Sequence, residues 1–207
     1  MEAEAVVETL SEKEGARLRV QKIFPVREKT LLLKIAQALP QKKKMDELVD
    51  RAQELAVQEL WILETERTIV KMRGPGRERA RSRWEKIAVE AAKQSGSSAL
   101  LRIEGPVSFD QMIDENSDPS ALSFIFHTDP KGLSFPKFID ELKNSPKEIS
   151  SVFLFFGPEG GFTEKEVRLA ESRGVRKVFL GNSVLRLETA FLGVASALRF
   201  LLSSSHE

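Results

Sequence analysis

Apolar and polar positions alternate weakly over residues 1–28, where Val6-Val7 and the stretch from Leu18 to Ile23 predict short strands. From Thr30 the pattern changes. Leu31 to Ile35 reads as a buried strand that ends at Leu39-Pro40, and Met45, Leu48, Val49, Ala52 and Leu55 then recur at helical spacing, with Asp46, Glu47, Asp50 and Arg51 on the opposite face. A second strand is predicted at Leu60 to Leu63 and a second helix along Trp84, Ile87, Ala88, Ala91 and Ala92. The stretch from Glu104 to Pro119, rich in Gly, Pro, Asn and Asp, reads as a separator before a third strand from Leu122 to Phe126. A helical stripe follows at Phe135, Phe138, Ile139 and Leu142, then the apolar run Val152 to Phe156, a helix over 164–173, a strand from Val175 to Leu180 and a final apolar helix. Short, near-continuous apolar strands that alternate with helices predict an α/β domain: a mostly parallel sheet with helices on both faces. The boundary falls at residues 28–30, so a short β-rich piece over 1–28 precedes a domain over 29–207.

Composition narrows the chemistry. The 207 residues carry 32 Lys and Arg against 31 Asp and Glu, 2 His, and neither Cys nor Tyr. Disulfides, thiolate metal sites, thiol nucleophiles and phenolic proton donors are therefore excluded. Two His, one of them His206 near the end, cannot build a three-imidazole site, so no metal is expected. The work must fall to carboxylates, Lys and Arg, hydroxyls, backbone amides or a bound cofactor. Met1 to Glu14 lacks the basic-then-apolar order of a signal peptide. The longest apolar stretch, Ala190 to Leu202, is broken by Gly193, Ser196 and Arg199 and is too short for a membrane helix. A soluble, cytoplasmic protein with no membrane partner is the expectation.

Two loops carry the candidate chemistry. Gly157-Pro158-Glu159-Gly160-Gly161-Phe162-Thr163 lies between a buried strand and a helix whose start is marked by a capping box, Thr163 with Glu166. Loops at the carboxyl ends of parallel strands are where ligands bind, and glycines let backbone approach them closely. A tight turn needs glycine too, but three glycines, a proline and a glutamate in five residues exceed that need. Neither the phosphate-loop Gly-Lys-Ser/Thr nor the dinucleotide glycine spacing is present. With Glu159, Glu164 and Glu166 nearby, a neutral or partly cationic cofactor fits better than a polyphosphate. One strand later the chain reads Leu180-Gly181-Asn182-Ser183-Val184-Leu185-Arg186-Leu187-Glu188-Thr189-Ala190. Its charged pair, Arg186 and Glu188, is either an internal ion pair that ties the loop to the final helix or part of a site.

Taken together, the Gly-Pro-Glu-Gly-Gly-Phe loop and the Leu-Gly-x-x-x-Leu-Arg-x-Glu-Thr-Ala segment resemble the SPOUT methyltransferases. More narrowly, they resemble the ribosomal RNA small-subunit methyltransferase E family. Supporting segments are Ala38-Leu39-Pro40, Lys44-Met45-Asp46, Glu54 to Val57, Thr65-Glu66-Arg67, Arg83-Trp84 and Glu90 to Ser95, so the likeness runs from about residue 30 to 202. It implies a C-terminal trefoil knot, a homodimer built on the knotted region, and S-adenosyl-L-methionine as cofactor. That cofactor would be held by His127, by Gly157, Pro158, Glu159, Gly160 and Gly161, and by Leu180, Gly181, Val184, Leu185, Arg186, Leu187, Thr189 and Ala190. The reaction implied is methylation of N3 of a uridine in small-subunit (16S) ribosomal RNA, with the naked RNA or the assembled subunit as partner. Arg186 would stabilise the developing uridine anion through its carbonyl oxygen, Glu188 would orient Arg186, and Glu159 would serve as base or shape the loop.

A near-neutral chain has no global attraction for nucleic acid, so RNA must be met by local patches. Lys71, Arg73, Arg77, Arg79, Arg81, Arg83 and Lys86 stand against only Glu78 and Glu85, and the first part of this run, through Gly74-Pro75-Gly76, is expected to be a flexible loop. Lys42-Lys43-Lys44 is a second cluster. Either run could be plain solvated surface. The resemblance turns Lys42, Lys44, Arg67, Arg77, Arg81 and Arg83 into expected phosphate contacts. The chain also departs from the family. Its first 28 residues resemble only the closing part of the PUA-type barrel found there, Ser97-Ser98 stand where an Arg is usual, and Leu187 replaces a Thr. Either the chain is a truncated form or it binds RNA differently. The alternative function is a dimeric homologue that binds cofactor and RNA without methylating.

Overall fold

The computed structural model describes residues 2–11, 15–24, 31–41, 44–115, 118–146 and 148–203, and the chain divides into two compact units, Met1–Thr30 and Leu31–Glu207. The first is an antiparallel hairpin of β1 (Glu2–Ser11) and β2 (Gly15–Phe24), paired as Val7 with Leu18 and Leu10 with Ala16, with bulges after Glu4 and Val7. The two strands predicted there are thus the two arms of one ribbon, longer than the weak alternation suggested. Val7, Leu10, Leu18 and Ile23 are exposed on it.

The second unit contains β3 (Leu32–Ala38), α1 (Lys44–Glu54), β4 (Glu59–Glu64), α2 (Pro75–Ser95), β5 (Arg102–Ser108), α3 (Phe109–Glu115), β6 (Ala121–Phe126), β7 (Leu133–Ser134), α4 (Phe135–Lys143), β8 (Ser151–Phe156), α5 (Glu164–Ser172), β9 (Arg176–Phe179) and α6 (Leu187–Ser203). Its strands form one sheet in the order β5-β4-β3-β8-β6-β9-β7, and every pairing is parallel. Strand periodicity splits the core between two faces. On one, Leu33, Ile35, Leu60, Ile62, Phe124, Val152, Leu154 and Phe156 pack with Leu48 and Ala52 of α1, Trp84 of α2, Phe138 of α4 and Phe191 and Leu198 of α6. On the other, Ala36, Leu63, Ile125, Phe153 and Phe155 pack with Phe109 and Ile113 of α3 and Val167 and Ala170 of α5. β8 is buried at all six positions, as its apolar run required.

Two expectations are corrected. The separator from Glu104 to Pro119 contains a strand and a helix, β5 and α3. Gly105-Pro106 hid the strand, and the sheet tolerates it because β5 lies at the edge, where a residue without an N–H leaves no ladder partner unmet. Gly105 has a φ of +93°, and a Cβ there would lie 2.5 Å from the Ile62 carbonyl, so only glycine fits. The loop expected over the first part of the basic run holds through Gly74 but ends two residues sooner than Gly76. Pro75 opens α2, with a fixed φ that suits a helix start, so Arg77 through Lys86 are helical. The two-residue strand β7 lies below any periodicity signal. Among the described residues, no helix is long and apolar enough to cross a membrane.

Candidate cofactor site at the carboxyl edge of the sheet

Because all seven strands run one way, the loops after β3, β4, β6, β8 and β9 leave the same edge. They surround a cavity of about 710 Å³. Lys44 enters it from the start of α1, Arg67 from the loop after β4, and His127 and Thr128 from the end of β6. Residues 157–162 and most of 179–190 supply the rest. Phe126 and Phe156 stack face to face at 4.6 Å as part of its wall.

The glycine loop is built by its neighbours. A Cβ on Gly157 would lie 3.1 Å from backbone atoms of Gly161 and Phe162, and Gly161, at φ +68°, closes the turn by donating to the Pro158 carbonyl at 2.8 Å. Beneath it the fully buried Gln37 donates through Nε2 to the carbonyls of Ala38 (2.7 Å) and Gly157 (3.3 Å). At the far end the capping box is present. Glu166, buried, accepts from the Thr163 amide and hydroxyl on one oxygen and from the Glu66 amide on the other. Arg67 Nη1 donates to the Gly160 carbonyl at 2.7 Å, and the Gln41 amide donates to Glu159 Oε1 at 3.1 Å.

Charge in the cavity is organised around Lys44. Its Nζ lies 2.7 Å from Glu188 Oε1 and 3.4 Å from Glu159 Oε1, so one ammonium joins both motif loops. The hydrogen bond to Glu188, helped by the Glu159 contact, raises the Lys44 pKa above its ordinary value. The same bond holds the Glu188 carboxyl below the usual carboxylate range, so this side chain is ionised at neutral pH. Its second oxygen, Oε2, is buried with no hydrogen-bond partner among the described residues. The expected Glu188–Arg186 pair is absent among the described residues: Glu188 pairs with Lys44, and Arg186, exposed, lines the cavity with no ion pair. The reason is reach from a distant element, since Lys44 comes from the start of α1, which the local sequence around Arg186 does not contain. His127 Nδ1 accepts the Asp129 amide at 3.2 Å, which leaves the proton of the neutral ring on Nε2 and makes that nitrogen a donor.

Of the predicted cofactor residues, His127, Gly157 to Gly161, Leu180, Gly181, Val184, Leu185, Arg186, Leu187 and Ala190 line the cavity, as does Glu188. Thr189 does not; it is exposed on the first turn of α6, between Glu188 and Ala190, which both line it. The five predicted RNA contacts that lie among the described residues do not form one patch. Lys44 and Arg67 are in the cavity wall. On α2, Arg77 is exposed without an ion pair among the described residues, Arg81 pairs with Glu85 at 3.0 Å, and Arg83 pairs with Asp46 at 2.8 Å. Lys42 lies outside the described residues. Sequence reasoning did not assign Phe126, Phe156, Phe179 and Ser183 to the site. The three aromatics could have been found, because each is the last residue of a strand whose following loop was already a candidate. Among the described residues, no cluster of three His, Asp or Glu could hold a metal ion.

Comparison with known proteins supplies the context for this geometry. A family model described as an RNA methyltransferase domain matches residues 27–199. The chain is 32% identical to ribosomal RNA small subunit methyltransferase E of Bacillus subtilis, over 96% of this chain and 77% of that protein. It is 30% identical to the protein of the same name from a Synechocystis species, over 92% of this chain and 60% of that one. Among solved structures, ribosomal RNA small subunit methyltransferase E from Neisseria gonorrhoeae, bound to S-adenosyl methionine, superposes with a TM-score of 0.75 at 25% identity, covering 95% of this chain and 77% of that one.

Proposed function

We propose a function for a chain that belongs to the RNA methyltransferase domain family: S-adenosylmethionine-dependent methylation of small-subunit ribosomal RNA, at N3 of a uridine. The observation that carries this reading is the single cavity in which both motif loops meet, in a fold that the Neisseria relative uses to hold S-adenosyl methionine. The residues present fit that cofactor. Gly157 and Gly161 let the loop fold tightly on itself at the cavity wall, Phe126, Phe156, Phe179 and Leu180 offer apolar walls, and Glu188 Oε2 is a buried acceptor with no partner among the described residues. Residues 157–161 and 180–187 would hold it, largely through backbone.

When bound, the cofactor supplies a methyl group already activated by its sulfonium. The protein has then to orient the uridine, exclude water and manage the N3 proton. Arg186 is suited to the charge. Its guanidinium has no ion pair among the described residues, and a charge-assisted hydrogen bond to the uridine carbonyl oxygen beside N3 stabilises the anion as the proton leaves. Glu188 is a weak proton acceptor, because Lys44 depresses its pKa, so its role is to hold and not to deprotonate. Exposed Arg77, with Arg81 and Arg83 beside it on α2, meets RNA phosphates. The same reading includes the trefoil knot in the C-terminal segment, a homodimer built on it, and action in the cytoplasm.

The test is methyl transfer from labelled S-adenosylmethionine to small subunits that lack this methylation, under single-turnover conditions. The chain as it stands should transfer label to a uridine. Arg186→Ala should lose about 10²–10³ in rate while cofactor affinity, read by calorimetry, stays near the parent value. Transfer at the parent rate in Arg186→Ala would remove Arg186 from the chemistry, and no transfer by the parent chain would favour the non-methylating homologue.

A further inference from the structure

We propose that Lys44 and Arg67 are positioning residues of the cofactor loop, holding Glu159 and Gly160 from two separate elements, the start of α1 and the loop after β4, and that they serve cofactor binding and not RNA phosphates. This deepens the methyltransferase reading and rests on it.

The argument begins with what each side chain touches. Arg67 arrives from the loop after β4. Its Nη1 donates to the Gly160 carbonyl at 2.7 Å, and its Cβ and Cδ lie 3.6 and 3.5 Å from where a Gly160 side chain would begin. The stem therefore covers the one face of Gly160 that a larger residue would occupy, and the head fixes the carbonyl direction of the same peptide unit. The next amide, of Gly161, is already committed to Pro158. Lys44 arrives from the start of α1, and in the preceding loop the Gln41 amide also meets Glu159. Its ammonium spans Glu159 and Glu188, and through Glu188 the start of α6. Two cations, one from the start of α1 and one from the loop after β4, thus fix consecutive residues of the glycine loop, and Lys44 also fixes the start of α6.

Recruiting these cations to phosphate would undo that arrangement. Glu188 already carries one buried oxygen without a partner, and removing Lys44 would leave the whole carboxylate without its only ion pair among the described residues. Breaking a partly buried pair from one side is penalised more than the pair itself contributes, because the remaining charge stays desolvated. Releasing Arg67 likewise strips the Gly160 carbonyl of its donor. On α2, by contrast, Arg77 has no ion pair to break among the described residues.

The experiment compares Lys44→Met, Lys44→Arg, Arg67→Met and the double variant Lys44→Met/Glu188→Gln in the full chain. Calorimetry with S-adenosylmethionine should show affinity lower by about ten- to a hundredfold in Lys44→Met and Arg67→Met, the range that losing a hydrogen bond to a charged group corresponds to. Lys44→Arg should recover most of the loss. The double variant should be no worse than Lys44→Met, because the carboxylate that Lys44→Met leaves unpaired is then replaced by a neutral amide. Binding of a small-subunit ribosomal RNA fragment across a salt series should keep the parent slope in both Met variants, whereas Arg77→Met lowers it by about one. Cofactor affinity at the parent level, or a slope lowered by Lys44→Met and Arg67→Met, overturns the proposal. Hydrogen exchange in the ligand-free protein separates this from failure of the parent reading. Faster exchange at the Gly161 amide in the Met variants supports the clamp even if the parent chain binds no S-adenosylmethionine, and unchanged exchange there overturns it.

Discussion

The loop after β8 and the loop after β9 leave the same edge of one sheet and reach the same cavity, yet they are held in different ways. Residues 157–163 are bonded from below by Gln37, from one side by Gln41 and Lys44, from the other by Arg67, and at their end by Glu166. Over residues 180–186, the backbone bond outside regular helix and strand pairing, among the described residues, is at the first turn of α6, where the Ala190 amide reaches the Arg186 carbonyl. Within that second loop, Asn182 and Ser183 form no side-chain bond among the described residues, and Val184 is 80% exposed. The difference teaches a division of labour. A loop bonded on all sides presents its shape in advance and loses little entropy when a ligand arrives, while a loop anchored only at its ends must be ordered by what it binds. The first loop is fixed in advance, and the second is expected to settle when a ligand binds.

The largest effect should come from breaking the first loop's support at its buried end. Glu166 is 5% exposed and accepts from two backbone amides that belong to different loops. Glu166→Ala strands both donors and removes the Glu166 half of the capping box, while Thr163 still accepts from the residue 166 amide; this should cost about 3 kcal/mol and lower Tm by roughly 6–12 °C in a thermal melt. A loss below 1 kcal/mol would mean that the loop is held by its exposed contacts alone. Next comes Gly157→Ala, where the new methyl would sit 3.1 Å from backbone of Gly161 and Phe162. Backbone cannot move aside as a flexible side chain can, so about 1–3 kcal/mol is expected, together with weaker binding of S-adenosylmethionine. The corresponding substitution in the other loop, at Gly181, meets no atom within 4 Å, and only its φ of +120° resists.

The sequence showed the second loop nearly as well as the structure does, and the first only in part. Its turn and its cap were legible because they are local: Thr163 and Glu166 are three residues apart, and the glycines name the turn. Lys44, Arg67 and Gln37 were not legible as parts of it. Each meets the loop across 90 or more residues of chain, and a lysine beside Lys42 and Lys43 looks like solvated surface until its carboxylate partners are placed. The sheet shows the same rule. Central strands such as β8, buried on both faces, announced themselves as apolar runs, whereas the edge strand β5, half exposed and carrying Gly105-Pro106, has the composition of a connection. Parallel order was inferable from the alternation of elements, but the insertion of β8 between β3 and β6 depends on crossover choices that no local pattern records.

The smallest expected effect is the one that sharpens the comparison most. Val184 packs against little in the ligand-free loop, so Val184→Ser should leave stability within about 0.5 kcal/mol of the parent and Tm within roughly 2 °C. If the loop closes over S-adenosylmethionine, the same side chain loses apolar contact that forms only in the complex. About 1 kcal/mol of that contact corresponds to roughly fivefold in affinity. A thermal melt and a titration with S-adenosylmethionine on one preparation read both quantities. Unchanged stability with weaker binding marks residues 180–186 as the side that forms on binding. A Tm lowered by several degrees would instead show that this loop is packed in advance, as the first one is, and the contrast between the two would collapse.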